Sequence, residues 1–103
     1  MAKKRSERTE RRAAERSLRR LVQDREKLAR LQPGGSEEHP IEVPAASVIE
    51  VRAAALPCPQ CEGKLQLLQH RATASGLRAL QMRCQRCGVE RTLWFRIAAL
   101  GPN

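Results

Sequence analysis

The stretch that decides the fold is "CPQC", Cys58–Cys61, together with its echo "CQRC", Cys84–Cys87, which returns 26 residues later. The chain has no other cysteines. Each pair brings two sulfurs to one side of a common point, because two intervening residues let the backbone curl beneath them. Pro59 stiffens the first turn. Gly63 and Gly88 stand just past the pairs, where the chain must turn sharply away, a role suited to residues without a Cβ. The 22 residues between Cys61 and Cys84 are what a hairpin of two strands requires to bring the second pair back to the first.

Composition explains why so small a chain needs such a device. In 103 residues the only aromatic side chains are the adjacent Trp94 and Phe95, so the bulky groups that usually fill a core are missing. Four cysteines supply the deficit either as disulfides or as a metal site. The N-terminal "MAKKRSERTERRAAERS" is charged throughout and lacks the apolar stretch of a secretory signal. No stretch approaches the roughly 18 apolar residues of a membrane span. The expectation is a cytoplasmic protein, whose thiols stay reduced.

The sequence from Cys58 onward resembles the zinc ribbons, in "CPQCEG", a hairpin, "CQRCG" and a third strand. The resemblance covers residues 58 to about 98. It implies one structural zinc ion held by Cys58, Cys61, Cys84 and Cys87. Four thiolate ligands leave no open position for water, unlike a catalytic zinc with three protein ligands. Rubredoxin-like iron binding shares the paired knuckles, although rubredoxins pack several aromatics round the metal. A thioredoxin-like site would need one C-x-x-C at a helix start in a βαβ setting, which the pattern lacks. Nucleophile motifs and phosphate loops are missing too. The expectation is a protein without enzymatic activity. Zinc ribbons serve in transcription, in ribosomes and in metabolic enzymes, so the resemblance implies no single function.

The expected class is α+β, a small ribbon of three antiparallel strands preceded by a long basic helix. Residues 1–32 form the helix unit. In it Ala14, Leu18, Leu21, Val22, Leu28 and Leu31 recur at helical spacing over 6–31. Ser6 or Thr9 is the expected cap, and "QPGG" at Gln32–Gly35 the stop. Glu7/Arg11, Glu15/Arg19 and Glu26/Arg30 stand four apart with the acid first, the favoured order. Arg25 interrupts the narrow apolar stripe. Residues 33–57 read as a Pro-rich acidic linker that allows few contacts between helix and ribbon. Within it "ASVIEVRA", 46–53, is β-branched and weakly alternating, and reads as a fourth strand. His39, before a proline, is assigned no role. Residues 58–100 form the ribbon domain. Its strands are "KLQLLQHRA" and "LRALQMRC", joined by "TASG" with Gly76 at the turn, and "VERTLWFRIAAL". In the last, Val89, Leu93, Phe95 and Ile97 share one face. His70 reads as a surface strand residue.

Charge then suggests partners. The net +9 divides into +7 over residues 1–32, −3 over 33–57 and +5 over 58–103. Basic ends point to a polyanion. The side chains expected to contact nucleic acid, or a nucleic-acid-bound machine, are Arg8, Arg11, Arg12, Arg16, Arg19 and Arg20 of the helix. On the ribbon they are Arg86, Arg91, Trp94 and Arg96, where arginines grip phosphates and an indole stacks on a base. Trp94 has a competing use, packing beneath the 46–53 segment. The alternative function is a protein-interaction adaptor whose helix 6–31 docks in a partner groove while zinc holds the scaffold. The acidic linker favours that second reading, since a nucleic-acid binder has no evident use for Glu37, Glu38 and Glu42.

Overall fold

A computed structural model describes residues 2–74 and 76–98; for residues 2–6 and 74 it describes the backbone alone. Helix α1 spans Ala2–Leu31. It therefore runs through Ser6 and Thr9, which lie inside the helix and do not cap it. "QPGG" ends it as expected, with Arg30 in the last turn beside the negative end of the dipole.

The ribbon strands follow as β2, Leu65–Ala74, β3, Leu77–Cys84, and β4, Glu90–Ile97. Both β2–β3 and β3–β4 pair antiparallel. Gly76 makes the hairpin turn at φ 70°, a conformation that costs a residue without Cβ little.

The segment 33–57 is not a free linker. Ile41–Val43 forms a short strand, β1, which lies parallel to β4 with Ile41 opposite Phe95 and Val43 opposite Ile97. The sheet order is therefore β1-β4-β3-β2. The fourth strand exists, but at 41–43. The 46–53 stretch instead makes a 3-10 turn, Ala46–Val48, and then helix α2, Ile49–Ala55. Packing decides this. Ile49 and Ala53, four apart on one helical face, are both fully buried, whereas Val51 is 72% exposed. An i, i+4 pair meets the core only if the chain is helical there, and that burial outweighs the weak β-propensity of Val48, Ile49 and Val51.

The core joins Val43, Ile49, Ala53, Leu65, Leu80, Met82, Leu93 and Phe95 with two of the cysteines, Cys58 and Cys84. Phe95, with its neighbours Leu93 and Ile97, faces it as the alternation of β4 predicts. The molecule measures 77 × 23 × 19 Å with a radius of gyration of 18.6 Å, against about 13 Å for a compact chain of this length. Most of that length is α1, about 45 Å at 1.5 Å per residue.

Candidate metal centre

Each C-x-x-C folds into the same local loop. Cys58 N–H donates to Gly63 O and Glu62 N–H to Cys58 O; in the second loop Cys84 N–H donates to Val89 O and Gly88 N–H to Cys84 O. Amides also point at the sulfurs. Gln60 N–H donates to Cys58 Sγ and Gly63 N–H to Cys61 Sγ, each at 3.4 Å, while Arg86 and Cys87 N–H both donate to Cys84 Sγ, at 3.3 and 3.4 Å. These donors favour the thiolate form of the sulfur they reach.

The two loops differ in how they use glycine. The left-handed residue four past the leading cysteine is Gly88 (φ 78°) in the second loop and Glu62 (φ 63°) in the first. Gly63 is thus not the residue at which φ turns positive. It is glycine because a Cβ there would lie 2.7 Å from Arg86 Cβ and 2.9 Å from Cys84 Sγ. The first loop packs so closely on the second that only hydrogen fits between them.

The hairpin and β4 bring the pairs together. All four Sγ atoms lie within 4.8 Å of one another, with Cys58–Cys87 at 3.7 Å and Cys61–Cys84 at 3.4 Å. A disulfide needs about 2.05 Å, so all four are free thiols. A tetrahedron of 2.3 Å metal–sulfur bonds places its sulfurs about 3.8 Å apart. The set fits one tetrahedral metal ion.

Ionisation of the cluster is uneven. The Cys87 amide, opposed by burial and helped by the Arg86 amide and the Cys61 and Cys87 side chains, holds Cys84 down to about 6. Cys87 has one helping donor, the Val89 amide, but desolvation and the neighbouring sulfurs of Cys61, Cys84 and Cys58 push it up to about 12. Once one sulfur is charged, its neighbours resist a second charge, and a bound cation removes that resistance.

Sequence reading missed the groups that tie α1 to this centre. Gln60, between two ligands, donates through Nε2 to Val22 O at 2.9 Å and to Glu26 Oε2 at 2.6 Å, and its carbonyl accepts from Arg25 at 2.8 Å. Glu26, expected to pair with Arg30, instead receives Arg91 Nη2 at 2.8 Å. Arg91 Nη2 also lies 4.0 Å from Cys58 Sγ. Arg25, which interrupts the apolar stripe, does so because its guanidinium turns to the ribbon. A glutamine in the variable position of a knuckle carries no signal of this in the sequence.

The residues expected at a nucleic-acid surface divide. Arg8, Arg11, Arg12, Arg16, Arg19 and Arg20 are all exposed on α1. Arg86 and Arg96 are exposed too, with Arg86 donating to Cys61 O. Arg91 is not at the surface: its side chain is only 7% exposed and is held by Glu26. Trp94 is half-buried and lines a cavity together with the 32–38 loop and the end of α1. His70 is bridged by Glu50 at 2.9 Å and Arg78 at 3.2 Å, a carboxylate contact that only the fold creates.

Among the described residues no helix is long and apolar enough to cross a membrane. Comparison of the chain with protein-family models, with curated proteins and with solved structures finds no match in any of the three. The fold and site define the class: a small α+β protein with a four-cysteine metal centre and a projecting basic helix.

Proposed function

We propose that this protein is a non-enzymatic zinc-ribbon module whose zinc is structural and whose α1 binds the backbone of a nucleic acid. The donor set supports zinc: four thiolates at tetrahedral spacing are a closed set that suits this ion. Cys58, Cys61, Cys84 and Cys87 would hold it, and the ion would lock the two loops and supply folding free energy to a chain poor in apolar bulk.

One observation carries the nucleic-acid reading. From the helical period, Arg8, Arg12, Arg16 and Arg19 form one ridge of α1, opposite Ala14, Leu21 and Leu28. All four are exposed. With α1 anchored at Val22–Glu26, the helix before Val22 extends about 30 Å beyond the ribbon. A ridge of guanidinium groups on a rigid arm matches a phosphate backbone, which it would grip without reading bases. Arg11 lies about a quarter turn off this ridge, beside Leu18.

The test is binding to duplex DNA and RNA over a salt series. About five neutralised phosphates give a slope of log affinity against log salt near −4 to −5. Neutralising Arg8, Arg12, Arg16 and Arg19 together would cut the slope by about 3 to 4 while zinc content stays at one equivalent. No binding by the unmodified protein at low salt would defeat the reading.

The adaptor reading also has support in one observation. Leu18, Leu21, Val22, Leu28 and Leu31 are each 44–72% exposed, leaving an apolar stripe unpartnered on the same helix. Loss of a cellular partner on changing Leu18, Leu21 and Leu28 to Ala, with nucleic-acid affinity unchanged, would favour it.

A further inference from the structure

The sheet has a vacant place beside β4. On the side away from β3, Trp94 N–H donates to Gly34 O and Ala98 N–H to Val43 O. Strand alternation then points the amides and carbonyls of Thr92 and Glu90 to that same side. β1 covers β4 only from Phe95 to Ile97, and no described residue bonds the amide of Thr92 or Glu90. Beside this bare edge lies a cavity of about 590 Å³, bounded by Glu90–Trp94 on one side and by the end of α1 with the 32–38 loop on the other. Arg91, on its wall, keeps a buried Nε–H with no acceptor.

We propose that this groove takes an extended, basic-apolar segment of a partner protein, which adds to the sheet in line with β1. Three features select that occupant. Bare backbone donors and acceptors on a strand edge recognise another extended backbone. Leu56, Pro57, Pro59 and the half-buried Trp94 line the groove and receive alternate apolar side chains. The exposed carboxylates of Glu37, Glu38 and Glu90 stand on its rim against one lining cation outside an ion pair, Arg30, and so favour lysine or arginine on the outward positions. Phosphates meet repulsion at that rim. The slot beside Glu90–Leu93 spans about 10 Å at 3.3 Å per residue, room for three or four residues. The acidic middle of the chain thereby gains a use that α1 does not give it.

The probe is an acetylated and amidated pentapeptide of alternating lysine and valine, titrated into zinc-loaded protein. Trp94, the only tryptophan, reports occupancy by fluorescence. The expected result is a saturable change, at least tenfold slower exchange of the Thr92 amide, and at least tenfold weaker binding by the Glu37→Lys/Glu38→Lys variant. Thr92→Pro removes the outward N–H but no backbone bond to β3, and Thr92→Val controls for the lost Thr92 Oγ1–Gln81 Oε1 bond. The proline variant should lose binding at least tenfold and the valine variant should not, each keeping one metal per chain. Should the proline variant fail to fold, Thr92 amide exchange in the unmodified protein decides. The proposal is overturned by an unsaturable titration, by unchanged Thr92 exchange, by equal binding of a control pentapeptide with glutamate in place of lysine, or by an oligonucleotide producing the Trp94 change in place of the peptide.

Discussion

Arg91 of β4 and Glu26 of α1 meet at 2.8 Å across 65 residues of sequence, and the arginine partner is 7% exposed while the glutamate is 27% exposed. The same guanidinium lies 4.0 Å from Cys58 Sγ, so one cation touches both the helix and the metal centre. Helix and ribbon are therefore tied at Val22–Glu26 by this ion pair and by the bonds of Gln60 with Val22, Arg25 and Glu26.

Removing Glu26 should expose the value of that contact. Glu26→Ala leaves Arg91 buried with no counter-charge, and breaking a fully buried pair costs about 3–5 kcal/mol. Since Glu26 is partly solvated, about 1–3 kcal/mol is expected here, or a fall in Tm of about 5–20 °C. Thermal unfolding of metal-loaded protein by circular dichroism measures it. A shift under 2 °C would show that the pair contributes nothing.

Metal removal should reach the helix. Cys84→Ser, or a strong chelator, is expected to unfold the sheet, because Cys58 and Cys84 belong to its core. It also frees Gln60 and Arg91, the anchors of Val22–Glu26. The turns of α1 after Val22 then lose the contacts that fix them and fray, so ellipticity at 222 nm should fall by more than the short α2 accounts for. Retention of the whole α1 signal would show that its own ion pairs suffice.

Metal affinity should rise with pH, since binding displaces protons from thiols. Cys84, held down to about 6, is already a thiolate above that pH and releases nothing; below it, it must lose a proton too. Cys87, pushed up to about 12, releases a proton across the whole working range. Thus log affinity against pH should rise throughout, with its slope smaller by about one decade per pH unit above pH 6 than below it. Chelator competition for zinc from pH 5 to 9 tests this. A slope that stays constant through pH 6 would contradict the assignment.

The two knuckle glycines should fail differently. Gly63→Ala places a methyl 2.9 Å from Cys84 Sγ, so metal affinity should drop at least tenfold as the loops are wedged apart. Gly88→Ala meets only the Arg83 guanidinium, at an ordinary contact distance of 3.9 Å, but must hold φ at 78°. It should cost about 1 kcal/mol of stability with little effect on affinity. Equal losses of affinity in both variants would refute the distinction.

What the sequence determined by itself was everything that local spacing can encode. Two C-x-x-C loops fix the geometry of their own sulfurs, the 22-residue interval fits one hairpin, and the leucine period with "QPGG" marks a helix and its end. Each follows from short-range covalent geometry, so the metal centre and three strands were legible. What only the tertiary structure decided were the pairings across distance. Ile49 and Ala53 became helical because both reach the core that way. Ile41–Val43 became a strand because β4 offered an open edge. Arg91 left the surface because Glu26 meets it there. In none of these does the residue's own neighbourhood in sequence hold the deciding group; burial and charge pairing act on whatever the folded chain brings within a few ångströms.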